Sequence, residues 1–302
     1  MRPSQALKAE RSGVPSKEAC GVCLAGHYRL LDLYFRLHVS PGNLRDRIEP
    51  LLAPLVLDAP PDIPPLHIDL RGEGGRFVLT ADGERVGRCA LSSQVVPMLK
   101  ASLLQFALQR SWDFGAIHAA AVGRNGRCIL LPGASGSGKS TAAAALVSAG
   151  LQLLGDDTVV LAGDGLAARA VPFAICVKRG AWNLLAGRFP ELLEQPVHDR
   201  IDGQRVRYLA PPQVAVGART EAGWPVSAIV FLNRKDGGTA ELSALPPFEA
   251  LQRLLKGFYP LADGLDAEKV ERLLEWIGRT QSFELRFSSL EDCVTHVGAL
   301  CA

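Results

Sequence analysis

The chain has 302 residues, enough for about two domains at roughly 150 residues each. Its 48% hydrophobic and 21% charged residues are an ordinary globular composition, which excludes a globally disordered chain. Lys and Arg number 33 against 31 Asp and Glu, and a formal charge of +2 gives no signature of a nucleic-acid or anionic-membrane binder.

The first residues, Met1 to Glu18, are polar and lack the apolar core of a secretory signal, and no apolar run approaches the roughly 18 residues of a membrane span. The expectation is a cytoplasmic protein with a flexible tail over 1–25. The 7 cysteines are odd in number and form no disulfide framework. Cys20 and Cys23 make a lone C-x-x-C without the two further ligands of a zinc site, and read as reduced thiols.

From Tyr28 the pattern is strand-like, with Leu31, Leu33, Phe35, Leu37 and Val39 alternating with polar residues. Arg45 to Val56 has helical spacing interrupted by Pro50 and Pro54, and a proline-rich connector follows. Three short strands, Leu66–Leu70, Arg76–Thr80 and Arg85–Ala90, separated by Gly-rich turns, suggest an antiparallel meander. Residues 26–91 therefore read as a small N-terminal α+β domain, and 92–302 as a second, α/β domain. A helix from Ser92 to about Arg110 opens the latter. Strand Ile117–Val122 and strand Cys128–Leu131 are joined by Asn125-Gly126, a hairpin turn. A helix over Ser140–Ser148 and a strand Leu151–Leu154 follow, the latter expected beside the strand that carries the loop. After Thr158–Ala162 come strands Ser227–Leu232, Thr239–Leu245 and Phe283–Phe287, with helices Phe248–Lys256, Ala267–Gly278 and Leu290–Leu300.

The segment Gly133-Ala134-Ser135-Gly136-Ser137-Gly138-Lys139-Ser140 fits G-x-x-x-x-G-K-[ST] in full, between an apolar strand and a helix. Glycines let successive backbone N–H groups converge on phosphate oxygens, and the helix that begins there points its positive end at them. Lys139 would serve the β- and γ-phosphates and Ser140 a Mg²⁺ ion, with Thr141 completing the loop. Asp156 and Asp157 end the next strand, two carboxylates for two tasks: holding metal and accepting a proton from a hydroxyl. His118, in the strand before the loop strand, is by itself an ordinary core histidine.

His118, the loop 133–140 and Asp156-Asp157, in this order and spacing, resemble the catalytic domain of the HPr kinase/phosphorylase family. Ile117–Val122, Ile129-Leu130-Leu131-Pro132, Leu153–Asp157 and Val177-Lys178 are similar to the HPr-kinase-related kinase A group; the likeness is specific over 117–180. It implies a P-loop kinase core, with His118 and Lys139 acting on the phosphates, Asp157 as base toward an acceptor serine, and Ser140 and Asp156 on magnesium. Lys178 stands where that family has an arginine, and Cys176 where it has a metal-binding acid. A thiol is a soft ligand for a hard ion, so either Asp156 and waters suffice or transfer is altered. Arg205 and Arg207 are candidates for the family's late arginine. Relatives form oligomers, so a homo-oligomer is implied by resemblance alone.

The function expected is an ATP- and Mg²⁺-dependent kinase acting on a serine of a protein or peptide. The alternatives are a kinase or nucleotidyltransferase of a small metabolite, and a nucleotide-dependent peptide-binding module with weak catalysis. A switch GTPase is disfavoured, because Asn233-Arg234-Lys235-Asp236 sets its lysine one place too late for N-K-x-D.

Overall fold

A computed structural model describes residues 24–60, 62–163, 165–210, 214, 222–261 and 264–301. Cys20, Cys23 and the expected tail lie outside them, except Leu24 and Ala25, which already belong to a strand. The alternation over 31–39 divides into two strands, β1 (Leu24–Leu30) and β2 (Leu33–Ser40), paired antiparallel around Leu31-Asp32. Leu31 takes a left-handed φ of 53° at this turn, a conformation that no glycine or asparagine announces in the sequence.

Helix α1 (Arg45–Leu52) gives way to a short 3-10 turn at Ala53–Leu55, so it ends before Val56. Strands β3 (Leu66–Glu73), β4 (Arg76–Ala81) and β5 (Glu84–Cys89) form the expected meander. Together these strands make a five-stranded sheet in the order β1-β2-β3-β4-β5. Only β2 and β3 are parallel, which requires the crossover through α1. Helix α2 (Val95–Arg110) buries Val95, Val96, Leu99, Leu103 and Ala107 in the same apolar cluster as this sheet, so it is part of the front layer's core.

The rest of the chain is mixed α/β. In order come β6 (Gly115–Ile117), β7 (Ala119–Arg124), β8 (Arg127–Pro132), α3 (Lys139–Ser148), β9 (Gln152–Gly155), β10 (Val159–Ala162), β11 (Ala167–Arg169) and β12 (Ile175–Lys178). Then follow α4 (Trp182–Ala186), β13 (His198–Asp199), β14 (Arg205–Leu209), β15 (Val226–Arg234), β16 (Glu241–Ala244), α5 (Pro247–Leu255), β17 (Phe258–Pro260), α6 (Ala267–Arg279), β18 (Gln281–Phe287) and α7 (Leu290–Ala299). A six-stranded sheet runs β16-β18-β15-β8-β7-β9, in which β8, β15 and β18 are parallel. Its two faces follow from the period of a strand. Ala120, Val122, Ile129 and Leu131 meet α3 and α7, whereas Ala119, Ala121, Cys128 and Leu130 meet β6, β10, α5 and α6. The four alanines 142–145 are fully buried in α3, and their small side chains let that helix sit close to the sheet. A four-stranded sheet β11-β10-β6-β17 and a three-stranded sheet β12-β14-β13 complete the fold.

Two expectations are corrected here. The apolar run Ile117–Val122 is not one strand: it breaks at His118, with β6 in the four-stranded sheet and β7 in the six-stranded one. The His118 amide is held at the break by the carbonyl of Gly257, 2.7 Å away. The strand after the loop helix, β9, pairs with β7 and not with the loop-bearing β8, because the hairpin partner β7 already occupies that edge of β8.

The front layer is fastened to the rest by a buried ion cluster. Arg169 on β11 is 2% exposed; it donates to both oxygens of Asp32, at 3.0 and 2.8 Å, and to Asp113 at 2.6 Å. Asp32 sits in the β1–β2 turn and Asp113 just after α2, and Ser111 donates a short hydrogen bond to the Asp113 carboxylate. A charge so buried is tolerated only when it is paired in this way. No helix among the described residues is long and apolar enough to cross a membrane.

Candidate active site

Parallel strands β8, β15 and β18 end on the same side of their sheet, where open α/β sheets gather ligands. From the end of β8, residues 133–138 curl into the N-terminus of α3. Gly136 and Gly138 take φ values of 89° and 90°, which a side chain would strain, and Gly138 is the N-cap. A side chain at Gly133 would press on Ser137 Oγ at 2.9 Å. The loop, with Lys139, Ser140 and Thr141, lines a cavity of about 690 Å³ whose far wall is Leu232, Asn233 and Arg234 at the end of β15 and Phe287–Glu291 after β18. Backbone N–H groups at a helix start, closed in by apolar and polar walls, have the chemistry to hold an anion.

Lys139 is 4% exposed. Its ammonium donates to the carbonyls of Gly133 and Ala134, at 2.7 and 2.8 Å, and lies 3.3 Å from His118 Nε2. Burial lowers its pKa, against the opposing pull of Asp157 and Asp156. His118 Nδ1 is 2.8 Å from the Asp157 carbonyl oxygen. A carbonyl can only accept, so Nδ1 carries the proton and Nε2 is left to accept from Lys139. The break between β6 and β7 thus turns His118 out of the apolar layers and onto the loop lysine.

The two aspartates differ in surroundings. Asp156 is 1% exposed; its Oδ2 accepts from the Cys176 amide at 2.7 Å, and its Oδ1 is buried without a partner among the described residues. Burial pushes its carboxyl pKa up, and the neighbouring Asp157 adds to this; Lys100, the Cys176 amide and the Ser140 hydroxyl pull the other way. Asp157 has a left-handed φ of 71°, a strained backbone that aspartate tolerates better than most residues. Its carboxylate lies 3.9 Å from Lys100 Nζ on α2, and the residue lines the loop cavity as well as two further cavities on the α2 side.

Lys178 reaches the loop, donating to Ser135 Oγ at 2.8 Å. Cys176 is buried beside Asp156, with its sulfur 3.9 Å from Arg200 Nη1; burial raises the thiol's pKa. His118, Lys139, Asp156, Asp157, Lys178 and the loop are therefore brought together, although 60 positions separate the first from the last. Arg205 and Arg207 are not. Arg205 faces Asp199 at 3.8 Å, and Arg207 bonds the Leu192 carbonyl and lies over the Trp182 ring. The structure supplies Lys100 and Arg200 instead, neither of which carries a motif. For a divalent ion, the hard oxygens at hand are the Ser140 hydroxyl and the orphaned, buried Oδ1 of Asp156, a donor set suited to magnesium. Among the described residues no three His, Cys, Asp or Glu side chains gather into an all-protein metal cage.

No protein-family model matches the chain, and no curated protein matches it in sequence.

Proposed function

We propose that the chain is a cytoplasmic, ATP- and Mg²⁺-dependent phosphotransferase with a P-loop kinase core of the HPr-kinase type, acting on a serine-type hydroxyl of a protein or peptide. The observation that carries this reading is the place of Asp157, a residue shared by the linings of the loop cavity and of the two cavities on the α2 side. A hydroxyl arriving from the α2 side meets a base on its way to the phosphate.

In this reading the loop amides bind the phosphates, and Lys139 moves from the carbonyls of Gly133 and Ala134 to the β- and γ-phosphate oxygens. His118 holds that lysine and Lys178 flanks the γ-phosphate. Asp157 takes the proton of the acceptor hydroxyl as its oxygen bonds to the γ-phosphorus. The bond from that phosphorus to the β–γ bridging oxygen breaks, and ADP leaves. Magnesium, when bound to Ser140 and Asp156, supplies charge neutralisation at the phosphates. The chemistry is positioning and charge stabilisation, as in phosphoryl transfer generally.

One observation favours a second reading, a nucleotide-gated peptide-binding module: Cys176 stands beside Asp156 where the resembled family has an acid. Incubation with γ-labelled ATP, Mg²⁺ and proteins from the protein's own source, with Lys139→Ala as control, separates the readings. A labelled serine seen only with the wild type supports the kinase. Retained ATP binding with no labelled macromolecule moves the function to a small hydroxylated acceptor or to the binding module.

A further inference from the structure

Helix α2 is unusual for a helix at a protein surface, because it is apolar on more than one side. Its first stripe, Val95, Leu99, Leu103 and Ala107, is fully buried in the front layer. A second stripe at Pro97, Ala101, Leu104 and Leu108 follows the same helical spacing and is half-buried or exposed. A surface helix normally turns polar residues to that side. Here the second stripe lines two cavities of about 680 and 430 Å³ that share Leu104, Asp157 and Arg200, so they form one groove along α2. At its ends stand two large side chains in solvent, Ile201 at 106% and Tyr259 at 61% relative exposure.

The groove also carries more cations than acids. Arg76 and Arg88 at the exposed ends of β4 and β5 line it, and neither has an ion-pair partner among the described residues. Arg200 adds a third guanidinium, though Asp202 neutralises it in part at 3.1 Å. Among the described residues the only acids in the lining are Asp199, 3.8 Å from Arg205, and Asp157 itself, 3.9 Å from Lys100. From Pro97 to Leu108 the helix rises about 16 Å, the span of roughly five extended residues.

We propose that this groove seats the acceptor itself: an extended, acidic segment of a peptide or protein, with apolar side chains against the second stripe of α2, carboxylates on Arg76 and Arg88, and the serine over Asp157. The assignment rests on the kinase reading only for the serine's role. The apolar floor supplies contact area, and Arg76 and Arg88 select charge and exclude basic segments.

The test is an array of immobilised nonapeptides with a central serine, flanking positions varied among Glu, Lys, Leu and Ser. Capture of the full-length protein is read in the presence of a non-hydrolysable ATP analogue, and transfer is then read with γ-labelled ATP. Expected is capture of Glu- and Leu-bearing peptides about tenfold above their Lys counterparts. Arg76→Glu/Arg88→Glu should remove or invert that preference while affinity for a fluorescent ATP analogue is unchanged. Capture indifferent to charge, absent altogether, or equal in the double variant overturns the groove assignment, as does a self-association that the double variant abolishes and that occludes the peptides. Charge-dependent capture without any transfer keeps the groove and removes the kinase reading. Transfer without charge-dependent capture does the reverse.

Discussion

The two sides of Asp157 are built from different materials. On the loop side the lining is mostly one stretch of seven consecutive residues, Ser135 to Thr141, with its backbone amides and Lys139, joined by Lys178. On the α2 side they are side chains from β4, β5, α2 and the β13–β14 hairpin, drawn from opposite ends of some 130 residues of sequence. In the proposed reading, backbone groups recognise what every nucleotide shares, the phosphates. Side chains, in the same reading, recognise what differs among acceptors, which assigns specificity to that side.

The largest effect expected is at Lys139. Lys139→Ala should lower kcat/KM by about a thousandfold, in the range of removing one charge-stabilising donor from a phosphoryl or acyl site, with the fold intact by circular dichroism. A loss under tenfold would move phosphate stabilisation elsewhere in the loop.

The two sides should then separate under Arg169→Met. Removing the guanidinium strands the buried Asp113 carboxylate and unties Asp32 in the β1–β2 turn, at a cost of about 3–5 kcal/mol by urea denaturation. Because the cluster holds the front layer, the acceptor KM should rise more than the KM for ATP. Equal changes in both would contradict the division.

A pH dependence sharpens the same comparison. His198 on β13, two residues from Arg200, is 2% exposed, and burial, reinforced by Arg47, lowers its pKa to about 4. The unfolded chain therefore binds a proton below about 6.5 that the folded chain refuses until about 4. Stability is complete above the unfolded value and falls as pH drops through that window, by about 2 kcal/mol at pH 5 from this group. His198→Phe should flatten this part of the stability profile, and an unchanged slope would reject the assignment.

The smallest effect is expected at Cys176. Its sulfur faces Arg200, so Cys176→Ser should cost about 1 kcal/mol of stability and leave the magnesium dependence of turnover in place. A marked rise in the magnesium concentration required would put the thiol in the metal's surroundings.

How much of this was legible follows from the same contrast. The loop is a contiguous motif between a strand and a helix, so its place and its positive-φ glycines could be read directly. The meander β3–β5 announced itself through Gly72–Gly75 and Asp82-Gly83, whereas the β1–β2 turn at Leu31-Asp32 has no turn residue and merged with the alternation around it. His118 looked like core because a β6–β7 break inside Ile117–Val122 leaves no mark in an unbroken apolar run. The strands β11 to β14 have 3, 4, 2 and 5 residues, too short for any periodicity to show. The groove stripe of α2 was hidden because Pro97, Ala101, Leu104 and Leu108 are interleaved with the core stripe of the same helix. Lys100 and Arg200 were hidden for a related reason: only the tertiary fold brings them to Asp157.

The central claim is that Asp157 joins the two sides as the base. Its most direct test is single-turnover transfer from γ-labelled ATP to an acceptor by Asp157→Asn, with ATP affinity measured in parallel. The account predicts a fall in the transfer rate of about a hundredfold or more, in the range of general-base catalysis, with ATP affinity within a few-fold of wild type. Transfer at the wild-type rate with the carboxylate removed would contradict it.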